Sequence, residues 1–499
     1  MMCQFGTNYG EISMVFHQII ITLKLQVQMK RQNSLVLLLI LVCLAPWAKG
    51  QDTLKLSHQE FLAVVKNYHP MAFRYRLQNQ IAKAEIQSAR GNFDPTLAAK
   101  NGSKTIDGTD YYKENNVTLG IPTWYGIDLN GSYNYIDGQR LNNSETRGGL
   151  YQFGITLPLA KNFLYDKRRA LLDQARFALQ MTEAEQLLLT NDLMLEADNA
   201  YWNWVKTYEV FQLQSRAVKI NQDRLLFIKK TFQYGEIAAI DTTEALTQLQ
   251  SFEIEQKDAY IEFVKATQQL SLFLWRENQQ PYDVAQLIIP SETLTNNLAY
   301  SNYLTLITEI DNASLSNHAS VLYYFQKQQI LESERRLKFQ SLLPKVDFTY
   351  NLFNKENYRT DFFPLFQNNY QYGLKLEIPI FLRQARADYR IAKIKIQQNQ
   401  LDTDYKRQEI TAKITTYKNV VGNYNDQITL AARNAINYER LLEAEETKFS
   451  NGESSLFLIN SRENKLIDVQ EKLIELRLKF LQGYNQLKWT RANFNNAIN

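Results

Sequence analysis

Between Ile410 and Leu442, apolar and small side chains recur at alternating steps of four and three: Ile410, Ile414, Tyr417, Val421, Tyr424, Ile428, Ala431, Ala435, Tyr438 and Leu442. A 3.5-residue period sustained over this length keeps one apolar seam turned towards a partner helix and predicts coiled-coil packing. Leu466, Val469, Leu473, Leu476, Phe480, Gly483 and Leu487 keep the same beat. So do Leu249, Phe252, Gln256, Ala259, Phe263, Ala266, Leu270 and Phe273. Other stretches alternate with period two. In YQYGLKLEI, Tyr370, Tyr372, Leu374, Leu376 and Ile378 share one face, and Gln371, Gly373, Lys375 and Glu377 share the other. VDFTYNLF (346–353) and GIDLNGSYNY (126–135) also alternate, which predicts strands. An ordinary half-buried sheet and a membrane barrel, with lipid outside and water inside, both satisfy that period.

Length then constrains topology. A helix from Leu159 to Phe232 would run about 100 Å at 1.5 Å per residue, too far for a compact domain. FQYGE (232–236) breaks that helical pattern, and FSNGE (449–453) repeats the phrase in the same kind of surroundings. Both flanking seams need covering and each connection is short. Gly235 and Gly452 are therefore predicted to be the tips of two antiparallel helical hairpins, where glycine supplies the backbone freedom for a tight reversal.

The chain repeats itself on a larger scale as well. NYHP (67–70) and SNHAS (316–320) each open a helical segment, and each copy then reaches a proline, Pro95 or Pro344. Strand-like sequence follows, ending at YQFGITLPL (151–159) or YQYGLKLEIPI (370–380), and then come the long helices. This is one half-architecture duplicated, not a solenoid. Ser57 and Glu60 stand in capping-box spacing at the front.

Composition supports the division. No proline falls between Pro158 and Pro281 or after Pro379, whereas half of the 18 glycines lie between Gly102 and Gly154. Residues 1–50 hold most of the net charge of +4, so the rest is close to neutral and argues against a nucleic-acid partner. MKRQNSLVLLLILVCLAPWAKG reads as a secretory signal, with Lys30 and Arg31 before an apolar Leu35–Leu44 and small Ala48 and Gly50 before a cut at Gln51. Residues 1–28 are expected either to precede the true start or, through VFHQIIITLKLQV, to extend the leader. Cys3 and Cys43 are the only cysteines, so a chain cut there has no disulfide framework and no thiolate metal site.

At this point the chain resembles the TolC-like family of outer-membrane efflux and secretion ducts. The resemblance is carried by LKLSHQEFLAVVKNYHP, SARGNFDPTL, QSLLPKVDF, LPLAKNFLYDKRRALLDQA and the tips FQYGEIAAIDTTEAL and FSNGESSLFLINSREN, in that duplicated arrangement. It implies a mainly α fold with membrane β structure. Long antiparallel coiled-coil hairpins would form an α-helical tunnel, and strands would contribute to a shared β-barrel. It further implies a homotrimer in the outer membrane with its tunnel in the periplasm. The channel would be passive and non-enzymatic, and would meet a periplasmic adaptor and an inner-membrane pump of RND or ABC type. The expected partition is 1–50 leader and signal peptide with cleavage near Gly50, 51–94 N-terminal helices and 95–158 a first strand region of four strands. Then follow 159–277 the first hairpin, 278–315 a mixed equatorial insert, 316–343 a helix, 344–379 a second region of two strands, 380–492 the second hairpin and 493–499 a tail.

Pro95, Pro158, Pro344 and Pro379 match the barrel-to-helix transitions, where a fixed φ suits a change of direction. Well-described members have four strands per protomer. Here NNVTLGIPTWYGIDLNGSYNY adds two alternating segments, so six strands are expected, and a wider barrel if this hairpin joins the wall. Trp124 and Tyr125 are placed like interfacial aromatics in contact with outer-membrane lipid. The resemblance puts a periplasmic gate at Gly235, Glu236, Asp241, Glu244, Gly452, Glu453, Leu458 and Ser461. Rings of Asp241 and Glu244 would concentrate field at a narrow mouth, although acids at a helix start also complement its dipole. Leu458 would supply an apolar constriction.

Catalytic chemistry is missing from the sequence. His58, His69 and His318 form no ligand spacing, and His69 and His318 fall at equivalent places in the two copies, as structural residues would. No phosphate loop or nucleophile elbow is found, and no cofactor or metal is expected. Trp202, Trp204 and Trp275 are read as packing residues within heptad tracts. The competing reading is a periplasmic or secreted coiled-coil scaffold without a pore. The cargo is not encoded in any visible pocket.

Overall fold

The structure, a computed structural model, describes residues 54–142, 145–282, 288–295, 315–355 and 369–491. The leader, most of the 278–315 insert and the tail lie outside the described residues. Two units are distinguished. The smaller, Met1–Leu54 with Ala285–Ile288, is almost wholly outside the described residues; the larger, Lys55–Val284 with Ile289–Asn499, carries everything below.

Helices dominate. α1 (His58–Tyr68) and α2 (Pro70–Gly91) come first, followed by α3 (Lys167–Gln233), α4 (Ala239–Ser271), α5 (Ala319–Gln340), α6 (Arg383–Ser450) and α7 (Leu456–Trp489). α3 and α6, of 67 and 68 residues, each measure about 100 Å. α3 folds back on α4, and α6 folds back on α7. α5 lies against both α3 and α6, and α7 packs along α3, which joins the two hairpins.

The heptad positions form the seams. Leu249, Phe252, Phe263 and Leu270 of α4 are buried, as are Leu466, Leu473, Leu476, Phe480 and Leu487 of α7. Burying a large apolar side chain contributes about 1.5–3 kcal/mol, so these stripes stabilise hairpins that propensity alone would leave marginal. A Cβ on Gly483 would meet Val421 at 3.1 Å, so that glycine lets α7 approach α6 closely. Trp202 and Trp204 are buried, and the Trp204 indole donates to Thr267 Oγ1 at 3.0 Å. Trp275 corrects the expectation: α4 stops at Ser271, so Trp275 lies beyond the heptad tract, bridged to Pro281.

The helix starts are also duplicated. Ser57 and Glu60 make the capping box of α1. His69 caps α2, its Nδ1 accepting from Met71 N at 3.2 Å, and His318 caps α5, its Nδ1 accepting from Ser320 N at 3.1 Å. Burial pushes both imidazoles below the ordinary histidine range, which keeps each Nδ1 free to accept. The ring of His318 also bonds the Thr490 carbonyl through Nε2 at 2.9 Å.

Six strands form one sheet: β1 (Thr96–Ile106), β2 (Thr109–Pro122), β3 (Asp128–Asp137), β4 (Gly148–Pro158), β5 (Lys345–Lys355) and β6 (Tyr370–Glu377). They lie side by side in chain order, all antiparallel, and no described strand pairs with the outer edge of β1 or β6. β4 and β5 pair from Leu150↔Lys355 to Pro158↔Asp347, although the whole first hairpin separates them in sequence.

Candidate functional site

Each FxxGE phrase closes its helix in the same way. Gly235 has φ +78° and Gly452 φ +79°, the left-handed region open to glycine. Gly235 N donates to Phe232 O at 2.9 Å and Glu236 N to Thr231 O at 3.2 Å. Gly452 N donates to Phe449 O at 3.0 Å and Glu453 N to Lys448 O at 2.9 Å. Both pairs satisfy the last carbonyls of the outgoing helix in a Schellman motif. Glu236 and Glu453 thus use their backbone at the turn, and both side chains are exposed.

Beyond the turns the tips diverge. The Asp241 carboxylate accepts from Ala238 N at 3.2 Å and caps α4. Glu244 accepts from Asn460 Nδ2 of α7 at 3.2 Å, so it engages the other hairpin of its own chain. At the matching place Leu458 is 40% exposed and Ser461 is exposed. Leu456, the first residue of α7, packs with Leu225, Ile228, Leu249 and Phe252 of the first hairpin. Below that cluster Arg224 pairs with buried Glu463 at 2.5 Å and with exposed Glu446 at 3.2 Å, and Asn221 donates to Glu463 at 3.2 Å. Sequence reasoning missed this clamp. Its signal was Glu463 itself, a carboxylate in the apolar beat of Leu456, Ile459 and Leu466. A charge at a seam position needs a partner.

At the other end, the prolines sit where strands meet helical sequence. Pro95 and Pro344 immediately precede β1 and β5, Pro158 ends β4, and Pro379 follows β6. Trp124 lies in the β2–β3 turn, stacked on Phe93 with centroids 4.0 Å apart, while Tyr125 is 81% exposed. Asp166 caps α3 through Arg169 N at 2.9 Å, and Arg168 reaches Asp128 of β3 at 2.8 Å. Arg169 bonds the Asn162 and Phe163 carbonyls at 2.9 and 3.0 Å, passing close under Gly126, where a Cβ would meet its Nη2 at 2.7 Å.

The sheet has two chemically distinct faces. Register pairs carry one row from Val117 through Tyr133 to Tyr151, and another from Ile121 through Leu129 and Ile155 to Tyr350 and Tyr372. Leu119, Phe153, Phe348, Leu374 and Leu376 share that apolar face, much of it exposed. The opposite face carries Asn116, Asn134, Asn130, Asn351 and Gln371 among Ser and Thr. An exposed aromatic and aliphatic sheet face backed by a polar one is the pattern of a strand wall between lipid and water. Among the described residues no helix is long and apolar enough to cross a membrane.

Residues 312–489 match the family model described as outer membrane efflux protein. No curated protein matches the chain. Among solved structures, the CmeC outer membrane channel of Campylobacter jejuni is similar at 11% identity and TM-score 0.59, over 87% of this chain and 85% of that one. The outer membrane protein VceC of Vibrio cholerae is similar at 12% identity and TM-score 0.60, over 87% and 95%. The open-state MtrE channel of Neisseria gonorrhoeae is similar at 12% identity and TM-score 0.57, over 87% and 88%. Identities this low speak for fold. The match to the outer membrane efflux protein family thus covers residues 312–489, and the fold of the chain is similar to that of these outer membrane channels.

Proposed function

We propose that three copies of this chain form a passive conduit across the outer membrane and periplasm, opened at its helical tips and energised by partners. One observation carries the reading: a two-faced sheet continues, across proline-marked junctions, into helical hairpins about 100 Å long. The sheet suits lipid on one side and water on the other, and the hairpins suit a tunnel. A scaffold without a pore has no use for an exposed apolar sheet.

Assembly is supported by what one copy leaves uncovered. Leu401, Tyr405, Leu430 and Ile436 of α6 are each at least half exposed, so they await another helix. At the tips, the Asp241 and Glu244 carboxylates of three copies would converge on one mouth and concentrate cations there. The exposed turns around Gly235 and Gly452 would receive a periplasmic adaptor, and through it an inner-membrane pump of RND or ABC type.

The test is a bilayer recording of protein purified from outer-membrane fractions as a heat-modifiable trimer. Large, stable conductance steps are expected; a trimer that never conducts would leave only the scaffold. Asp241→Asn keeps a cap acceptor for Ala238 and removes the charge. It should weaken block by divalent cations with thermal stability unchanged, and unaltered block would take Asp241 out of the gate.

A further inference from the structure

We propose that the three sheets join edge to edge, β6 of one copy beside β1 of the next, closing one barrel of eighteen strands, three sets of six, with the β1–β2 hairpin part of its wall. The inference rests on the trimeric conduit proposed above. What it adds is the fate of the outermost hairpin, β1–β2, whose second strand begins the segment singled out in the sequence, and the identity of the seam between subunits.

The hairpin is bonded into the sheet as fully as any other pair. β1 and β2 match from Thr96↔Gly120 to Lys104↔Tyr112, and β2 and β3 match without a break from Lys113↔Asp137 to Pro122↔Asp128. Its two faces agree with those of the remaining strands. Leu97, Val117, Leu119 and Ile121 continue the apolar face and are exposed, at 74%, 42%, 40% and 37%. Lys100 and Glu114, ion-paired across the two strands, lie with Asn116 and Thr118 on the polar face. Folded into a lumen, the hairpin would turn its apolar row to water. Lying outside the wall, it would put an ion pair into lipid.

The edges decide the rest. In hydrocarbon each unpaired backbone N–H or C=O costs several kcal/mol, so an open edge does not persist there. Six strands do not close on themselves in a membrane, because outer-membrane barrels begin at about eight strands. β1 and β6 must therefore find each other in neighbouring copies. The alternative is a barrel of twelve strands edged by β3, which would require the unbroken β2–β3 ladder to open and leave β1–β2 off the wall. At 16–18 strands a barrel encloses an aqueous channel, so the bore would be wide and polar at the membrane.

Cross-linking separates the two closures. The sequence has cysteines only at Cys3 and Cys43, ahead of the expected cut, so introduced thiols are the ones that react. Ala98, Asn130 and Lys375 each sit two residues inside the same end of β1, β3 and β6, on the polar face. Trimers of Ala98→Cys/Lys375→Cys and of Asn130→Cys/Lys375→Cys are treated with a short bis-maleimide and run denatured. Covalent dimers and trimers are expected from the Ala98 pair and not from the Asn130 pair. The reverse pattern, or intact trimers in which neither pair links, overturns the proposal. Native mass read on the same samples keeps the two readings apart: a protein that is no trimer defeats the conduit and the seam with it, whereas a trimer with the wrong cross-links defeats the seam alone.

Discussion

The two halves of the chain build the same turns from different supports. His69 and His318 cap α2 and α5 with the same imidazole nitrogen, and Gly235 and Gly452 reverse the hairpins with φ values one degree apart. The long helices between these points are unequal. α3 buries Trp204, Tyr201, Met194 and Ile228 inside the protomer, whereas α6 buries only Ala392, Asn399, Ile410 and Val421. α3 starts from a side-chain cap at Asp166; α6 starts after Leu382 at φ 45° with none. Duplication kept the local backbone chemistry and let the packing surfaces diverge. Within the protomer α3 is core, whereas most of α6 is left uncovered.

The largest test of that difference is the clamp that ties the hairpins together. Arg224→Ala leaves Glu463 buried without its partner and should cost about 3–5 kcal/mol, read as faster hydrogen exchange in α3 and α7 near the tips. Glu446→Ala should cost less than about 1 kcal/mol, because that carboxylate is 47% exposed. Equal effects would mean that the clamp is a surface ornament.

The turns should respond alike. Gly235→Ala and Gly452→Ala are each expected to destabilise by about 1–2 kcal/mol in chemical unfolding, since only the backbone is strained. No atom lies within 4 Å of a Cβ built at either site. A marked difference between them would show that the tips are not equivalent.

Removing a histidine cap should cost about 1 kcal/mol and change the pH profile. Both folded imidazoles titrate below the ordinary value of 6.5 because burial disfavours the cation. The unfolded chain therefore binds protons first as pH falls. The caps contribute fully above that value, and their contribution is lost as pH drops through the lowered folded values. Thermal melts of the wild type should weaken over that acid window, and those of His69→Ala and His318→Ala should weaken less.

The smallest effect is expected on α6. Leu430→Ser should leave protomer stability within about 0.5 kcal/mol, because the side chain is 65% exposed, yet lower the yield of trimer on native gels. A large loss of stability with trimer intact would reassign that face.

Much of this was legible beforehand because it is local. A 3.5-residue beat forces a seam, and Leu473, Phe480 and Phe263 are buried where the beat placed them. Trp275 shows the limit: the beat runs past Ser271, but the chain leaves the helix there for a bridge to Pro281. The Arg224–Glu463–Glu446 clamp was invisible as a set, since it gathers three helices whose register no sequence window contains. Asp241 and Glu244 were legible as acids beside a tip, but not as a helix cap and a bond to Asn460.

The sequence by itself determined the periods, the two glycine reversals, the histidine-led repeats and the alternation of the strands, because each depends on neighbours within a few turns of chain. Tertiary structure alone decided that β4 pairs with β5 across a whole hairpin, that six strands share two continuous faces and that α3 is buried where α6 is bare. Those outcomes depend on which distant surfaces meet, and the contact free energy of distant surfaces is not written in any local pattern.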